Sequence, residues 1–185
     1  MRSIPHWRQK DARCPQRLRH WLLDRASLTQ RLRAHSNSRL SVVVLSERWA
    51  RPRLDEAHAL ALPSSSRVFI REVVLYGDGQ AWVYARSVLP ASVLRGAFCR
   101  LRTLGARPLG ELLFKQPSLR RGTIMQARWP HARLPPSLPL SPPETLWARR
   151  SLFCYPRSKI LVCEVFLPAL IHHNKANTCL HPKHK

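Results

Sequence analysis

Two isolated charges mark where this chain could do chemistry. In "VFIREVVLYGDGQAW", residues 68–82, Arg71 interrupts an apolar run. Strand alternation puts it on one face with Phe69, Val73 and Leu75. In "ILVCEVF", residues 160–166, Glu164 shares a face with Ile160, Val162 and Phe166. A guanidinium offers a planar fork that matches a carboxylate, and a carboxylate among apolar side chains needs a donor. Two uses fit these residues. The charges either pair with each other or with backbone inside the core, or they form the poles of a pocket. Such a pocket would take a small planar anion with a polar group on its far side.

The elements around the two charges follow from periodicity and turn residues. Gly77-Asp78-Gly79 reads as a three-residue turn joining strands over about 67–76 and 80–89. That register sets Tyr76 opposite Gln80 and Arg71 opposite Ala85. Glu72 then faces the other way, diagonal to Arg86 and able to pair with it. Helical spacing over 15–34 breaks near Asp24–Ser27, which predicts two helices with Ser27 capping the second. A β-branched strand is expected over 40–49, a connector over 50–66, a helix over 91–105 closed by Gly105, and a short helix over 108–114. Residues 119–129 read as a strand. Residues 146–155 and 159–169 read as a second hairpin around Pro156-Arg157-Ser158. The stretch 130–145 holds six prolines and reads as a loop. Six strands joined by short turns predict an α+β fold, an antiparallel six-stranded sheet with helices packed on it. The folded domain spans 15–170, between a loose segment at 1–14 and a basic, disordered tail at 171–185.

Composition bounds the partners. The 185 residues carry 32 Lys+Arg against 10 Asp+Glu, a formal charge of +22, which favours a polyanion partner. The excess is mostly arginine spread along the chain, with no block of like charge forming a nucleic-acid arm. Five cysteines without a Cys-x-x-Cys spacing indicate neither a disulfide framework nor a zinc ribbon, and free thiols fit a reducing cytoplasm. The longest apolar run, 160–171, is broken by Glu164 and Pro168, so no membrane span is expected. His172, His173, Cys179, His181 and His184 are ligand types, but they read as a ragged tail with no metal assigned.

In order, "WLLDRASLTQRL" (21–32), "IREVVLYGDGQAWVYARSVLP" (70–90), "LRTLGARPLGELLF" (101–114), "LWARRS" (146–151) and "CEVFLPA" (163–169) resemble the chorismate pyruvate-lyase family over residues 15–170. The resemblance implies a monomeric α+β enzyme of the cytoplasm with an enclosed site under helical flaps and no cofactor. It implies elimination of pyruvate from chorismate to give 4-hydroxybenzoate, the first committed step of ubiquinone biosynthesis. It assigns the aromatic ligand to Arg71 and Glu164 as the charged, catalytic pair, to the backbone at Leu109, and to Leu28 in the flap after the first helix. Leu28 stands where the family commonly has methionine. The long proline-rich stretch, the high charge and the histidine-bearing tail also depart from the family. Two other readings remain at this point: a non-catalytic ligand-sensing domain of the same architecture, and, on composition alone, a basic nucleic-acid binder, although no nucleic-acid partner is expected.

Overall fold

The computed structural model describes residues 4–37, 39–95, 98–138, 145–156 and 158–179. They form an α+β fold around one antiparallel sheet. Helices α1 (Gln16–Leu22) and α2 (Leu28–His35) precede strand β1 (Ser41–Ala50). Helix α3 (Leu54–Leu60) leads to the hairpin β2 (Val68–Gly77) and β3 (Gln80–Pro90). The short helices α4 (Ala91–Leu94) and α5 (Leu109–Phe114) flank a 3-10 turn at Cys99–Thr103. Strands β4 (Arg120–Trp129), β5 (Leu146–Tyr155) and β6 (Ser158–Phe166) and helix α6 (Pro168–Cys179) complete the chain. The spatial order is β1-β2-β3-β6-β5-β4, antiparallel throughout.

The sheet is covered on both sides, which explains why β2 and β3 read as continuous apolar runs. On one face, Leu18, Trp21, Leu22, Leu28 and Leu32 of α1 and α2 pack on Val73, Leu75, Ala85 and Phe166. Beside them Val93, Leu94, Leu109 and Leu113 pack on Phe69, Leu89, Phe153 and Ile160. On the opposite face Leu60 of α3 meets Val68, Ile70, Val88 and Leu161. There Trp129 and Leu138 cover Val74, Tyr84 and Val165.

Several expectations are corrected. The hairpin turn is the two-residue Asp78-Gly79, with both residues at positive φ, because Gly77 pairs with Gln80. A bulge between Leu75 and Tyr76 then sets Tyr76 opposite Ala81 and Arg71 opposite Ser87, not Ala85. Gly77 cannot carry a side chain, since an added Cβ would lie 2.2 Å from the Trp82 ring. The connector at 50–66 contains α3, whose start is set by a capping box: the Glu56 side chain accepts the Arg53 backbone N–H at 2.8 Å. The helix expected over 91–105 is broken into α4 and the 3-10 turn, with residues 96–97 outside the described set. The N-terminal segment is tied to the sheet edge by paired backbone bonds between Arg8 and Gln126 (2.9 and 2.7 Å). Residues 168–179 are helical, so the first part of the expected tail is α6. The proline-rich stretch holds a 3-10 turn at His131–Arg133, and residues 139–144 lie outside the described set.

Glu72 and Arg86 are directly opposite each other rather than diagonal. Arg86 holds Glu56 of α3 with two bonds (2.6 and 3.0 Å) and Glu72 with a third (3.0 Å). Tyr84 donates its hydroxyl to Glu72 at 2.6 Å, and Arg48 donates to it at 2.8 Å. Burial raises the Glu72 pKa, but the bonds from Tyr84 and Arg48 and the Arg86 charge outweigh it, so the net shift is downward. The bonds from Arg133 likewise outweigh burial at Asp55, and its pKa is also lowered. A carboxylate with a depressed folded-state pKa contributes stability above its unfolded value, about 4.3 for Glu. That contribution is lost as pH falls through the folded value. Calorimetry is therefore expected to show Tm falling steeply below about pH 4. Glu72→Gln should lower Tm at neutral pH and flatten that acid slope; an unchanged slope would remove Glu72 from the account.

Candidate active site

Arg71 and Glu164 stand on the same sheet face and line one cavity. Glu164 lies opposite Ala85, which lies opposite Val73, two residues along β2 from Arg71. Strand spacing and rise put their Cα atoms about 12 Å apart. The space within the cavity, counted with the solvent at its open mouth, is about 600 Å3. Its walls are Val73, Leu75, Ala85, Val162, Leu113, Phe114 and Phe153, so its middle is apolar.

At one end Arg71 is 2 % exposed. It donates to the Glu47 carboxylate, opposite it on β1. Through Nη2 it also donates to the carbonyls of Gly105 (2.6 Å) and Arg107 (3.1 Å). Gly105 sits at φ +57°, a turn that carries the chain to Pro108 and into α5. Arg71 Nε is buried and has no hydrogen-bond partner among the described residues. Ser87, opposite Arg71 on β3, lines the same wall.

At the other end Glu164 accepts from Nε of Arg149 at 2.6 Å. Arg149 is 1 % exposed. Its Nη1 donates to the carbonyls of Trp21 and Asp24, both at 2.8 Å, satisfying backbone groups that the end of α1 leaves open. Arg121 lies beside it. Its Nε donates to Ser151 Oγ (3.0 Å), and its Nη1 donates to the carbonyls of Arg25 (3.0 Å) and Ala26 (3.3 Å). Its Nη2 is 4.0 Å from Glu164. The rings of Phe114 and Phe153 flank the Arg121 guanidinium at 5.8 and 5.4 Å.

The roof is made by two helix starts. Leu28 opens α2 after the Ser27 cap and is buried; Leu109 opens α5 after Pro108. The two helices meet at Thr29 and Gly110, where an added Cβ would touch Thr29 Oγ1 at 3.5 Å. The floor arginines therefore hold both roof connections by backbone carbonyls: Arg71 the lead-in to α5, and Arg149 with Arg121 the α1–α2 loop.

Leu28, Arg71, Leu109 and Glu164 thus come together on one cavity. Arg71 and Glu164 do not pair with each other. Glu47, Arg121 and Arg149 also belong to the arrangement and were not singled out from the sequence. Arg149 was open to detection, because alternation in "LWARRS" puts it on the Trp147 and Ser151 face. Glu47 was hidden by the bulge between Val44 and Ser46. Among the described residues, no three His, Cys, Asp or Glu side chains gather as metal ligands would; the Cys179 side chain, His181 and His184 lie outside that set. Chemically, the cavity offers a cation to an acid at one end and a carboxylate to a hydroxyl at the other, with a ring-sized apolar space between.

The model of the family described as "Chorismate lyase" matches residues 2–176. Proteins named "Probable chorismate pyruvate-lyase" are similar throughout. The one from Pseudomonas syringae pv. tomato is 44% identical over 157 residues, 84% of this chain and 83% of its own. Those from Thiobacillus denitrificans and Aromatoleum aromaticum are 43% and 42% identical, covering 89% and 92% of this chain and 90% and 98% of theirs. Among solved structures, PhnF from Mycobacterium smegmatis shares the fold with a TM-score of 0.57 at 17% identity, over 80% of this chain and 66% of that one. The C-terminal domain of the histidine utilization repressor from Pseudomonas syringae pv. tomato gives a TM-score of 0.54 at 15% identity, over 71% and 93%.

Proposed function

Since the chain belongs to the chorismate lyase family, we propose that its cavity eliminates pyruvate from chorismate and leaves 4-hydroxybenzoate. The observation that carries this reading is a buried arginine and a half-buried carboxylate at opposite ends of one apolar cavity. Arg71 takes the ring carboxylate; its partnerless Nε and its fixed position suit a planar anion. Glu164 accepts the C4 hydroxyl, and Arg149 keeps that carboxylate oriented. Leu109 acts through its backbone N–H, one of the donors left open at the start of α5. Leu28 packs over the ring.

In the reaction the C3–O bond breaks, the C4 hydrogen leaves, and the enolpyruvyl methylene gains a proton to become the methyl of pyruvate. The ring becomes aromatic, so the step is strongly downhill. Transfer of the C4 hydrogen to the methylene within the substrate balances the step without a protein base. The protein orients the ring and stabilises charge on the departing group. The reading extends to a monomeric enzyme, as the family resemblance implies. It extends also to the cytoplasm, supported by the free buried thiols of Cys14 and Cys163, and to the first committed step of ubiquinone biosynthesis.

The fold is shared with a repressor domain and a protein described as a transcriptional regulator, so a ligand sensor is the reading to be separated from an enzyme. Purified protein mixed with chorismate should release 4-hydroxybenzoate and pyruvate in equal amounts, followed by ultraviolet absorbance and a coupled pyruvate assay. Binding of 4-hydroxybenzoate without turnover would assign a sensor instead. Glu164→Gln keeps the shape but removes the charge, and it should lower kcat by about tenfold or more, with a fall in Tm because Arg149 loses its counter-charge. Unaltered kcat would take Glu164 out of the reaction.

A further inference from the structure

We propose that Arg121, seconded by Arg149, is the anchor for the second carboxylate of the substrate, the one on the enolpyruvyl group. This inference rests on the chorismate reading and adds a residue to it. Chorismate is a dianion, and Arg71 accounts for one of its carboxylates. The ether at C3 is attached beside the hydroxyl-bearing C4. A hydroxyl held by Glu164 therefore puts the enolpyruvyl group next to Glu164, away from Arg71. The group found there is Arg121, with Nη2 4.0 Å from the Glu164 carboxylate.

The local charge supports an anion at that position. The cavity end holds two guanidiniums, Arg121 and Arg149, and one carboxylate, Glu164, which Arg149 already engages at 2.6 Å. One buried cation is left in excess, and uncompensated buried charge is costly. Asp24, the other nearby carboxylate, is engaged by Arg31 at 2.7 Å. Arg121 Nε and Nη1 are committed to Ser151 and to the α1–α2 loop, while no hydrogen bond is formed by Nη2 of either Arg121 or Arg149 among the described residues. The aromatic rings of Phe114 and Phe153 lie within about 6 Å of the Arg121 guanidinium, close enough to attract it. Burial first, and then the Arg149 charge, lower the Arg121 pKa to about 10, as expected of a cation short of counter-charge. Because Arg121 also holds the carbonyls of Arg25 and Ala26, the anchor ties substrate to the roof loop.

The test compares a ligand that has the second carboxylate with one that lacks it. Arg121→Gln should lower kcat/KM for chorismate by about 10²-fold. Its affinity for 4-hydroxybenzoate, by titration calorimetry, should stay near that of the wild type. Arg121→Lys, which keeps the charge and guards against a folding failure of the first variant, should restore much of the turnover. It should also add an alkaline fall to the pH profile, because a buried lysine facing Arg149 and Arg25, with Glu164 and Asp24 as its counter-charges, deprotonates more readily than arginine. Normal chorismate turnover in Arg121→Gln would overturn the proposal. So would a parallel loss of 4-hydroxybenzoate affinity, which would assign Arg121 to the roof alone. A wild-type protein that binds 4-hydroxybenzoate but leaves chorismate unchanged would instead overturn the reading on which the proposal rests.

Discussion

Replacing Arg71 by alanine is expected to lower kcat/KM for chorismate between about 30-fold and several thousandfold, the range for truncating one partner of a buried, hydrogen-bonded charge pair. Three consequences combine. The ring carboxylate loses its partner at the floor of the cavity. Glu47 loses the guanidinium it faces. The carbonyls of Gly105 and Arg107 lose their donor, so the lead-in to α5 and the Leu109 backbone are less well placed. Arg71→Lys separates these effects. A lysine keeps one positive charge but not the fork, so it should recover part of the affinity for the carboxylate and little of the geometry. Steady-state kinetics with both variants, and circular dichroism to establish folding, check this. Turnover near the wild-type value in Arg71→Ala would remove Arg71 from the site.

Arg149→Met should have the largest effect on stability. It leaves the Glu164 carboxylate without its close partner and frees the carbonyls of Trp21 and Asp24. Breaking a buried pair by removing one partner costs about 3–5 kcal/mol. For a domain of this size that is a Tm fall on the order of 10 °C. The pair itself is a weak source of stability, because an apolar replacement of both partners is often neutral or better. The double variant Arg149→Met/Glu164→Leu should therefore regain part of the lost Tm. Full recovery is not expected, since the two roof carbonyls remain without their donor. Activity should stay absent in the double variant, because the hydroxyl acceptor is gone. Thermal melts of the three proteins decide the matter: a double variant no more stable than Arg149→Met would show that the roof contacts, not the charge pair, set the cost.

The two charges that line the cavity were legible from the sequence because alternation is a strong constraint in a covered sheet. One residue of slip would have moved Arg71 and Glu164 to the opposite face. Their partners were less legible, since pairing depends on register, and register depends on bulges. The bulges at Leu75/Tyr76 and Val44/Ser46 moved Arg71 opposite Ser87 and brought Glu47 to it. Arg121 and Arg149 were lost among many arginines. The structure shows that part of this basic excess is internal: Arg71, Arg86, Arg133 and Arg149 are buried, Arg121 is half-buried beside them, and together they bind carboxylates and roof carbonyls. Short helices were the weakest part of the reading. α3 buries only Glu56, Ala57 and Leu60, too few positions to show a period. The division of the chain into an N-terminal segment, a domain over 15–170 and a basic tail remains our proposal.

The central claim is that Arg71 and Glu164 hold the two ends of one ring. Titration of wild type, Arg71→Ala and Glu164→Gln with 4-hydroxybenzoate, its methyl ester and benzoate tests it most directly. Wild type should lose affinity when either the carboxylate or the hydroxyl is removed from the ligand. The ester penalty should vanish in Arg71→Ala while the benzoate penalty persists. In Glu164→Gln the benzoate penalty should fall by about half, as a charge-assisted bond becomes a neutral one, while the ester penalty stays. Equal penalties in all three proteins would contradict the account.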